Sequence, residues 1–316
     1  MKIVFMGTPD FAAVSLRELV KFHEVTAVIT QPDRPAGRGK KLMPPPVKEV
    51  ALENNIEVHQ PLRVKSKEFK ETLAKIEADI FVVVAYGQIL PKDILDMPKY
   101  GAINVHASLL PKYRGAAPIQ WAIVDGEAES GVTIMQMDVG LDTGPMLLKK
   151  STPIEPHETG ESLHDKLADI GAGALIEALE IISAGKAQPI AQEDELSSYA
   201  SMLHRDTGNI DWSKSAVEIE RLIRGLYPWP STFSFLDGLG NIKIITAEVV
   251  QNEYADMAQA EHGTIIKVDK KKGLYVATGS GHLLIKRIQA SGKKEMDVSA
   301  FLLGNDIQEG RRFICQ

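Results

Sequence analysis

Short apolar runs alternate with amphipathic stretches along the first half of the chain. The apolar runs are Lys2–Met6, Val25–Thr30, Asp79–Ala85 and Ala102–His106. Residues 11–22 form an amphipathic stretch after the first run, and residues 160–182 place apolar side chains at the spacing of a helix. Strands that alternate with helices are typical of a parallel sheet covered on both faces. The pattern therefore predicts an α/β domain with a mostly parallel sheet.

The pattern changes in the second half of the chain. Residues 187–205 are polar and irregular, which predicts a linker, and residues 216–226 have the pattern of one helix. The segments that follow have the character of strands and lie at 242–250, 264–268, 274–278 and 282–288. Gly and Lys clusters separate several of them, which predicts a small barrel or an antiparallel sheet. We therefore expect a first domain over 1–189, a linker over 190–206 and a second domain over 207–316.

The composition is that of an ordinary globular protein. The chain has 316 residues, of which 44% are hydrophobic and 25% are charged, and its formal net charge is −6. These values exclude a collagen-like fibre, a coiled coil and a wholly disordered chain. The apolar runs are much shorter than the ~20 residues that cross a bilayer, and the N-terminal run is too short for a secretory signal. Cys315 is the single cysteine, so no internal disulfide can form, which favours the cytoplasm.

The first predicted strand lacks the glycine pattern of a dinucleotide site. It ends in Gly7-Thr-Pro-Asp10, whereas that site needs Gly-x-Gly-x-x-Gly so that a pyrophosphate can approach a helix N-terminus. Pro9 and Asp10 crowd and charge this position, and both are typical of the first turn of a helix. The sequence contains neither a cysteine cluster nor a His-Glu-x-x-His motif, the patterns that would predict a metal site. We therefore expect no nicotinamide cofactor and no metal.

Asn104 and His106 stand at the end of the predicted strand 102–106. Residues two apart on a strand point to the same face, so the carboxamide and the imidazole project together. In open α/β sheets, ligands bind at the carboxyl ends of the strands. An Asn N–H can stabilise a developing oxyanion, and His titrates near neutral pH and carries protons. The pair alone is also compatible with a structural histidine.

Asp142 supplies a carboxylate within Asp138-Val-Gly-Leu-Asp-Thr-Gly-Pro145. The flanking glycines predict a constrained connection that can deliver a side chain to a defined place. A carboxylate beside His106 would hold the orientation of the ring and favour its protonated form. The alternative is that Asp142 only forms a turn. The combination of three polar residues, rather than any one of them, points to catalysis.

Four motifs together resemble those of the 10-formyltetrahydrofolate-dependent formyltransferases. They are Asn104-Val-His106, Ser108-Leu-Leu-Pro111, Tyr113-Arg-Gly115 and Gly140-Leu-Asp-Thr-Gly144, and similar segments lie at 7–11, 35–44 and 224–230. The resemblance implies a Rossmann-like formyltransferase domain followed by a small OB-like β-barrel domain that binds tRNA. It also implies that Asn104, His106 and Asp142 are the catalytic residues. The formyl group would pass from 10-formyltetrahydrofolate to the α-amine of methionyl initiator tRNA.

The resemblance also assigns a segment that binds the folate co-substrate. Ser108, Leu109, Leu110 and Pro111 match the folate-binding segment of the family, and residues 84–90 would line the same pocket. The catalytic residues are therefore expected to lie next to a pterin pocket. The chemistry implied by the resemblance needs no metal.

A basic segment over 31–46 is expected to contact the acceptor stem of the tRNA. Arg38, Lys40 and Lys41 are the candidate contacts, because Arg and Lys neutralise phosphates and Arg can do so with two hydrogen bonds. The adjacent glycines would let the chain follow an RNA end. Composition alone is equally compatible with a solvated loop.

Two other functions remain open at this point. The same folate chemistry could act on a small amine, such as an amino sugar or glycinamide ribotide, although a small acceptor needs neither the basic segment nor the second domain. The chain could also be a non-catalytic RNA-binding module. We expect a cytoplasmic monomer whose partners are initiator methionyl-tRNA and the folate, without a membrane partner.

Overall fold

A computed structural model describes residues 1–36, 41–250 and 260–315. The described residues form two compact units, each with a large sheet of its own. The first unit comprises 1–118, 129–153 and 164–200, and the second comprises 119–128, 154–163 and the described part of 201–316. The chain finally leaves the first unit after Ala200, within the segment 190–206 that the sequence predicts as a linker.

The first unit contains the early strands and helices of the chain. Its strands are β1 (Lys2–Gly7), β2 (Glu24–Ile29), β3 (Arg34–Ala36), β4 (Lys41–Met43), β5 (Glu57–His59), β6 (Ile80–Val84), β7 (Ala102–His106), β8 (Arg114–Gly115), β9 (Glu129–Gln136), β10 (Met146–Pro153) and β11 (Tyr199–Ala200). Its helices are α1 (Asp10–Phe22), α2 (Pro46–Glu53), α3 (Lys67–Leu73) and α4 (Lys92–Leu95). The residues of α5 (Pro118–Val124) and α6 (Gly160–Ser183) are divided between the units. Within the described ranges, no helix is both long and apolar enough to cross a membrane.

Seven strands form the main sheet of the first unit in the order β10-β9-β7-β6-β1-β2-β5. β7, β6, β1, β2 and β5 run parallel to one another. β9 runs antiparallel to β7, and β10 runs antiparallel to β9. The prediction of a mostly parallel sheet is therefore confirmed.

Helices pack against both faces of this sheet. On one face, Met6 of β1 and Val83 of β6 share a buried cluster with Phe69 of α3 and Ile94 of α4. Successive side chains of a strand point to opposite faces, and the alternating β7 residue Val105 faces α6 instead. Burial on both faces explains why β1 and β6 are continuous apolar runs rather than alternating ones.

The second unit is built on a curled antiparallel sheet. Its elements are α7 (Ala216–Gly225), β12 (Thr232–Leu236), β13 (Gly240–Val250), β14 (Ile265–Asp269), β15 (Gly273–Ala277), β16 (His282–Ala290), β17 (Met296–Asp297), α8 (Val298–Phe301) and β18 (Phe313–Ile314). The strand order is β14-β15-β16-β13-β12-β18, and β17 pairs with β16. The residues just before the two outermost strands, Thr264 before β14 and Arg312 before β18, form an antiparallel β-bridge. This topology is consistent with the predicted OB-like domain.

The core of the second unit lies between its sheet and α7. Ser215 and Glu218 form a capping box that begins α7, and Ile219 and Ile223 on the helix are buried against the sheet. Trp212 stacks on Phe313 with ring centroids 5.5 Å apart. The amphipathic pattern of 216–226 therefore serves to close this core.

Gly171 permits close packing of α6 on the sheet. A Cβ at this position would lie 3.0 Å from Cγ1 of Val105, whereas Gly173 has open space around it. We expect Gly171→Leu to lower the free energy of unfolding by about 1–3 kcal/mol through overpacking. Gly173→Leu is the matched control and should be neutral or stabilising by up to about 1 kcal/mol, because Leu favours helix more than Gly does. Urea unfolding of both variants measures the difference, and equal midpoints would contradict the packing.

Candidate active site

Asn104 and His106 lie on a strand in the interior of the first sheet. Asn104 pairs with Val83 of β6 and with Met135 of β9. His106 pairs with Thr133 of β9. Asn104 is half-buried, and His106 is only 5% exposed. Because neighbouring strands fix β7 on both sides, the carboxamide and the imidazole project from rigid backbone.

The segment 108–111 follows β7 and is held by hydrogen bonds of buried groups. The Thr133 hydroxyl donates to the carbonyl oxygen of Ser108 at 2.7 Å and accepts from the amide of Leu110 at 3.1 Å. Ser108 and Leu110 are buried, while the other two members of the segment are half-buried. Thr133 thus fixes the backbone of Ser108 and Leu110, and Leu109 and Pro111 are the more exposed members of the segment. Folate binding by the segment stays a prediction.

His106 presents one particular ring nitrogen to Asp142. Its Nε2 lies 2.9 Å from the carbonyl oxygen of Tyr113, and a carbonyl oxygen can only accept a hydrogen bond. Nε2 therefore carries a hydrogen, and Nδ1 faces Oδ2 of Asp142 at 3.7 Å. This distance is longer than a hydrogen bond but allows an ion pair. The ring can thus take up a proton at Nδ1 next to a carboxylate.

Asp142 lies on the connection between β9 and β10, which starts beside the N-terminal end of β7. The connection between β9 and β10 begins where the Met137 amide donates to the carbonyl oxygen of Ala102, the first residue of β7, at 2.8 Å. Asp142 has a φ of 54°, in the left-handed region that residues other than glycine seldom adopt. Its Oδ2 accepts a hydrogen bond of 2.8 Å from the Gly115 amide. The structure thus brings Asp142 and His106 together, and their catalytic role stays a prediction.

The β9–β10 connection is also held by its own side chains. Oδ1 of Asp138 accepts hydrogen bonds from the Gly140 amide at 2.9 Å and from the Thr143 hydroxyl at 2.7 Å. A Cβ on Gly144 would lie 1.8 Å from the carbonyl oxygen of Gln136, so only glycine fits there. These contacts are the constraint that the glycines around Asp142 predicted.

A cavity of about 460 Å³ lies beside the carboxyl ends of β1, β2 and β6. Its lining residues are Thr8, Pro9, Gln31, Pro32, Arg34, Met43, Pro44, Pro45, Ala85, Tyr86 and Gly87. The Thr8 hydroxyl and Nε2 of Gln31 both donate to the carbonyl oxygen of Tyr86, at 3.1 and 3.2 Å. Burial raises the pKa of the Tyr86 phenol well above its usual range, so this group stays protonated. Three residues of the predicted segment 84–90 thus line a cavity at the same edge of the sheet as His106.

The basic segment is anchored at its base. Nζ of Lys48 donates to both carboxylate oxygens of Asp33 and to Oε1 of Gln60, each at 2.8 Å. The hydrogen bond from Lys48 is the main reason why the pKa of the Asp33 carboxyl lies below its usual value. β3 and β4 pair antiparallel beyond this anchor, and Lys41 on β4 is exposed. The other predicted RNA contacts, Arg38 and Lys40, lie outside the described residues.

Two family models together match most of the chain. The family model for formyl transferase matches residues 1–179, and the model for the formyl transferase C-terminal domain matches residues 202–306. The chain belongs to the formyl transferase family. The family resemblance that the motifs predicted is therefore confirmed.

This formyl transferase has close relatives over nearly its full length. The methionyl-tRNA formyltransferase of Geotalea daltonii is 49% identical over 313 residues, which cover 99% of this chain and 98% of that protein. The methionyl-tRNA formyltransferase of Clostridium novyi is 51% identical over 309 residues, with 98% of each chain covered. The N-formyltransferase of Helicobacter canadensis, solved with folinic acid and dTDP-3-aminofucose, shares the fold. Its TM-score is 0.67 at 20% identity, and the match covers 94% of this chain and 100% of that one.

Three groups that shape this formyl transferase site are not among the site residues predicted from the sequence. Thr133 fixes the segment 108–111, the Tyr113 carbonyl fixes the His106 ring, and the Gly115 amide holds Asp142. Two of these three groups belong to the backbone, which no residue type reveals. The Tyr113-Arg-Gly115 motif was the available signal. In the described ranges, no three His, Cys, Asp or Glu side chains are grouped as a metal site would need.

The tautomer of His106 can be observed directly. Because Nε2 donates to the Tyr113 carbonyl oxygen, we expect neutral His106 to carry its hydrogen on Nε2 alone. Nitrogen-15 NMR of labelled protein at alkaline pH should show a protonated Nε2 and a bare Nδ1 for this residue. Exposed His157 is the reference for a ring with averaged tautomers. A protonated Nδ1 with a bare Nε2 in His106 would contradict the assignment.

Proposed function

We propose that this formyl transferase moves the formyl group of 10-formyltetrahydrofolate to the α-amine of methionyl initiator tRNA. Two methionyl-tRNA formyltransferases about half identical to the chain and matching nearly all of it support this acceptor. The observation that carries the chemistry is the approach of His106 Nδ1 to Asp142 Oδ2 at 3.7 Å, next to Asn104 on the same strand. The cytoplasm and a monomeric state are part of the proposal.

His106 accepts the proton that the amine loses. The attacking α-amine must be neutral, and the pKa of a free α-amine is ≈ 7.7–8.0. As its nitrogen bonds to the formyl carbon, it releases a proton to Nδ1 of His106. The Asp142 carboxylate then stabilises the charged ring at 3.7 Å. When the bond between the formyl carbon and the folate nitrogen breaks, that nitrogen takes the proton, and His106 returns to its neutral form.

Asn104 stabilises the charge that develops on the formyl oxygen. Its carboxamide N–H groups can donate to an oxygen that becomes negative as the amine attacks. The strand position two residues before His106 places this donor on the face that carries the base. Asn104 is half-buried, which limits competition from water for these N–H groups. Removal of one such donor typically lowers the rate by ≈ 10²–10³.

The cavity near β6 fits a folate in size and chemistry. Ligand cavities commonly measure ≈ 300–1,000 Å³, and this one measures about 460 Å³. Prolines, Met43 and Ala85 offer apolar walls, while Gln31 and the Arg34 guanidinium offer polar contacts. A flat, apolar ring system with an anionic tail matches that mixture. Residues 85–87 follow β6 and the segment 108–111 follows β7, and we expect both to contact the co-substrate.

The catalytic proposal predicts large losses from single substitutions. We expect His106→Ala to lower kcat about 10²–10⁴-fold, because a general base typically contributes that much. Asn104→Ala should lower it about 10²–10³-fold. Transfer of radiolabelled formyl groups to methionyl-tRNA measures both effects, with circular dichroism to show that the variants fold. Exposed His157→Ala is the matched control and should keep wild-type activity.

The same assay tests the acceptor. Methionyl-tRNA, an amino sugar nucleotide and glycinamide ribotide are offered separately at equal concentrations. We expect transfer to methionyl-tRNA alone. Transfer only to small amines would reject the proposed acceptor, and full activity of His106→Ala would reject the proposed site.

Lys41 is expected to contact a phosphate of the tRNA. Lys41→Ala should raise KM for methionyl-tRNA and reduce the slope of log affinity against log salt by about 0.7–0.9. KM for the folate should not change. Exposed Lys75 precedes β6, at the opposite edge of the sheet, so Lys75→Ala is the matched control. Equal salt slopes for both variants would remove Lys41 from the RNA interface.

A further inference from the structure

Gln192 holds the backbone around the carboxylate that faces His106. Its Nε2 donates to the carbonyl oxygen of Asp142 at 2.8 Å and to that of Gly144 at 2.7 Å. Gln192 is half-buried, and it lies 50 residues from Asp142 along the chain. One side chain thus fixes the β9–β10 connection at Asp142 itself and two residues beyond it.

Arg114 determines which end of the Gln192 carboxamide faces the connection. Nε of Arg114 donates to Oε1 of Gln192 at 3.0 Å, and Nη2 donates to Oδ1 of Asp194 at 2.8 Å. A guanidinium has no acceptor, so Oε1 of Gln192 must face Arg114 and the amide nitrogen must face Asp142. The three hydrogen bonds of Gln192 therefore agree on one orientation of its side chain.

The segment 190–200, which carries Gln192, is fastened at both ends within the first unit. Ile190 and Met146 exchange two backbone hydrogen bonds of 2.8 Å. At the other end, β11 pairs with β8 in parallel. Gln192 therefore projects from a segment with fixed ends rather than from a free linker.

Gly115 connects the same segment to the side chain of Asp142. Its amide donates to Oδ2 at 2.8 Å, and a Cβ on Gly115 would lie 2.7 Å from the carbonyl oxygen of Ala200. The carboxylate is thus held through β8, while the backbone of Asp142 is held through Gln192. A left-handed φ of 54° at Asp142 persists only where the surroundings hold it. Gln192 supplies two of the contacts that do so.

We propose that Gln192 is a positioning residue for formyl transfer, which keeps the Asp142 carboxylate 3.7 Å from Nδ1 of His106. This inference rests on the proposed function. Without the two N–H donors, the connection relaxes, and Oδ2 moves away from the ring and from the Gly115 amide. The protonated ring then lacks its counter-charge, so the chemical step slows while substrate binding persists.

Substitution of Gln192 by Met tests the proposal, because Met has a similar length and no N–H. We expect Gln192→Met to lower kcat by up to about a hundredfold, as displacement of a catalytic group by about 1 Å can do, with KM for both substrates nearly unchanged. Gln192→Glu keeps an oxygen for Arg114 but has no N–H, so it should lose as much. Exposed Gln188 lies in the same part of the chain, and Gln188→Met should keep wild-type kcat. Wild-type kcat in either Gln192 variant would overturn the proposal.

The Gly115 amide provides a readout that does not depend on turnover. Since it donates to Oδ2 of Asp142, its hydrogen should exchange slowly with solvent in the wild type. Asp142→Ala defines the exchange rate of the broken bond. Gln192→Met should approach that rate, at an unchanged global stability measured by urea unfolding. Wild-type exchange at Gly115 in Gln192→Met would contradict the inference even if kcat falls.

His106→Ala separates a failure of this inference from a failure of the proposed function. If the wild type transfers no formyl group to methionyl-tRNA, the proposed function fails, and if His106→Ala is as active as the wild type, the proposed site fails. If His106→Ala is inactive while Gln192→Met keeps full kcat, the function stands and only the role of Gln192 fails.

Discussion

The hydrogen bond between Nε2 of His106 and the carbonyl oxygen of Tyr113 decides which ring nitrogen is free for chemistry. A neutral imidazole has one hydrogen, and the carbonyl at 2.9 Å requires it on Nε2. Nδ1 is then the nitrogen that can take a proton, and it is the one that faces Asp142. A reversed tautomer would place a hydrogen on Nδ1 in the resting state and leave no base there. The proposed proton transfer therefore depends on a backbone group of a residue with no chemical role of its own.

The site divides its work between rigid strands and hydrogen-bonded connections. Asn104 is fixed by pairing with both neighbouring strands, and His106 is fixed by pairing with β9. The carboxylate of Asp142 comes instead from a connection in the left-handed conformation, so it needs contacts on both its backbone and its side chain. Gln192 and Gly115 supply these contacts from two further parts of the chain. Precise placement of a carboxylate is thus achieved without a strand or helix beneath it.

Much of the fold could be predicted from the sequence, and the exceptions have physical reasons. The strand predicted at Ala102–His106 has the same bounds in the structure. An interior strand is buried on both faces, so its sequence is mostly apolar and is recognised as a strand. The sequence does not predict β10, because Lys149 and Lys150 interrupt its apolar pattern. Lysines are common in a strand at a sheet edge, where β10 lies. The pattern of 190–200 predicted a linker because its residues are polar. Hydrophobicity does not reveal that one of these polar side chains, Gln192, bonds to a backbone elsewhere rather than to water.

The chemistry at His106 does not by itself select an acceptor, since any neutral amine could lose its proton there. Selection must come from contacts farther away, and the sheet order sets their distance. The β3–β4 hairpin follows β2, which is three strands from β7 in the order β7-β6-β1-β2. At about 4.8 Å per strand, this separation is roughly 14 Å. A small amine bound at His106 would not extend across three strands, whereas the proposed tRNA acceptor is large enough to span this separation. Arg34 and Met43 of the hairpin line the cavity proposed for the folate, whereas a role for Lys41 in binding the acceptor requires a large acceptor, which favours a tRNA over a sugar.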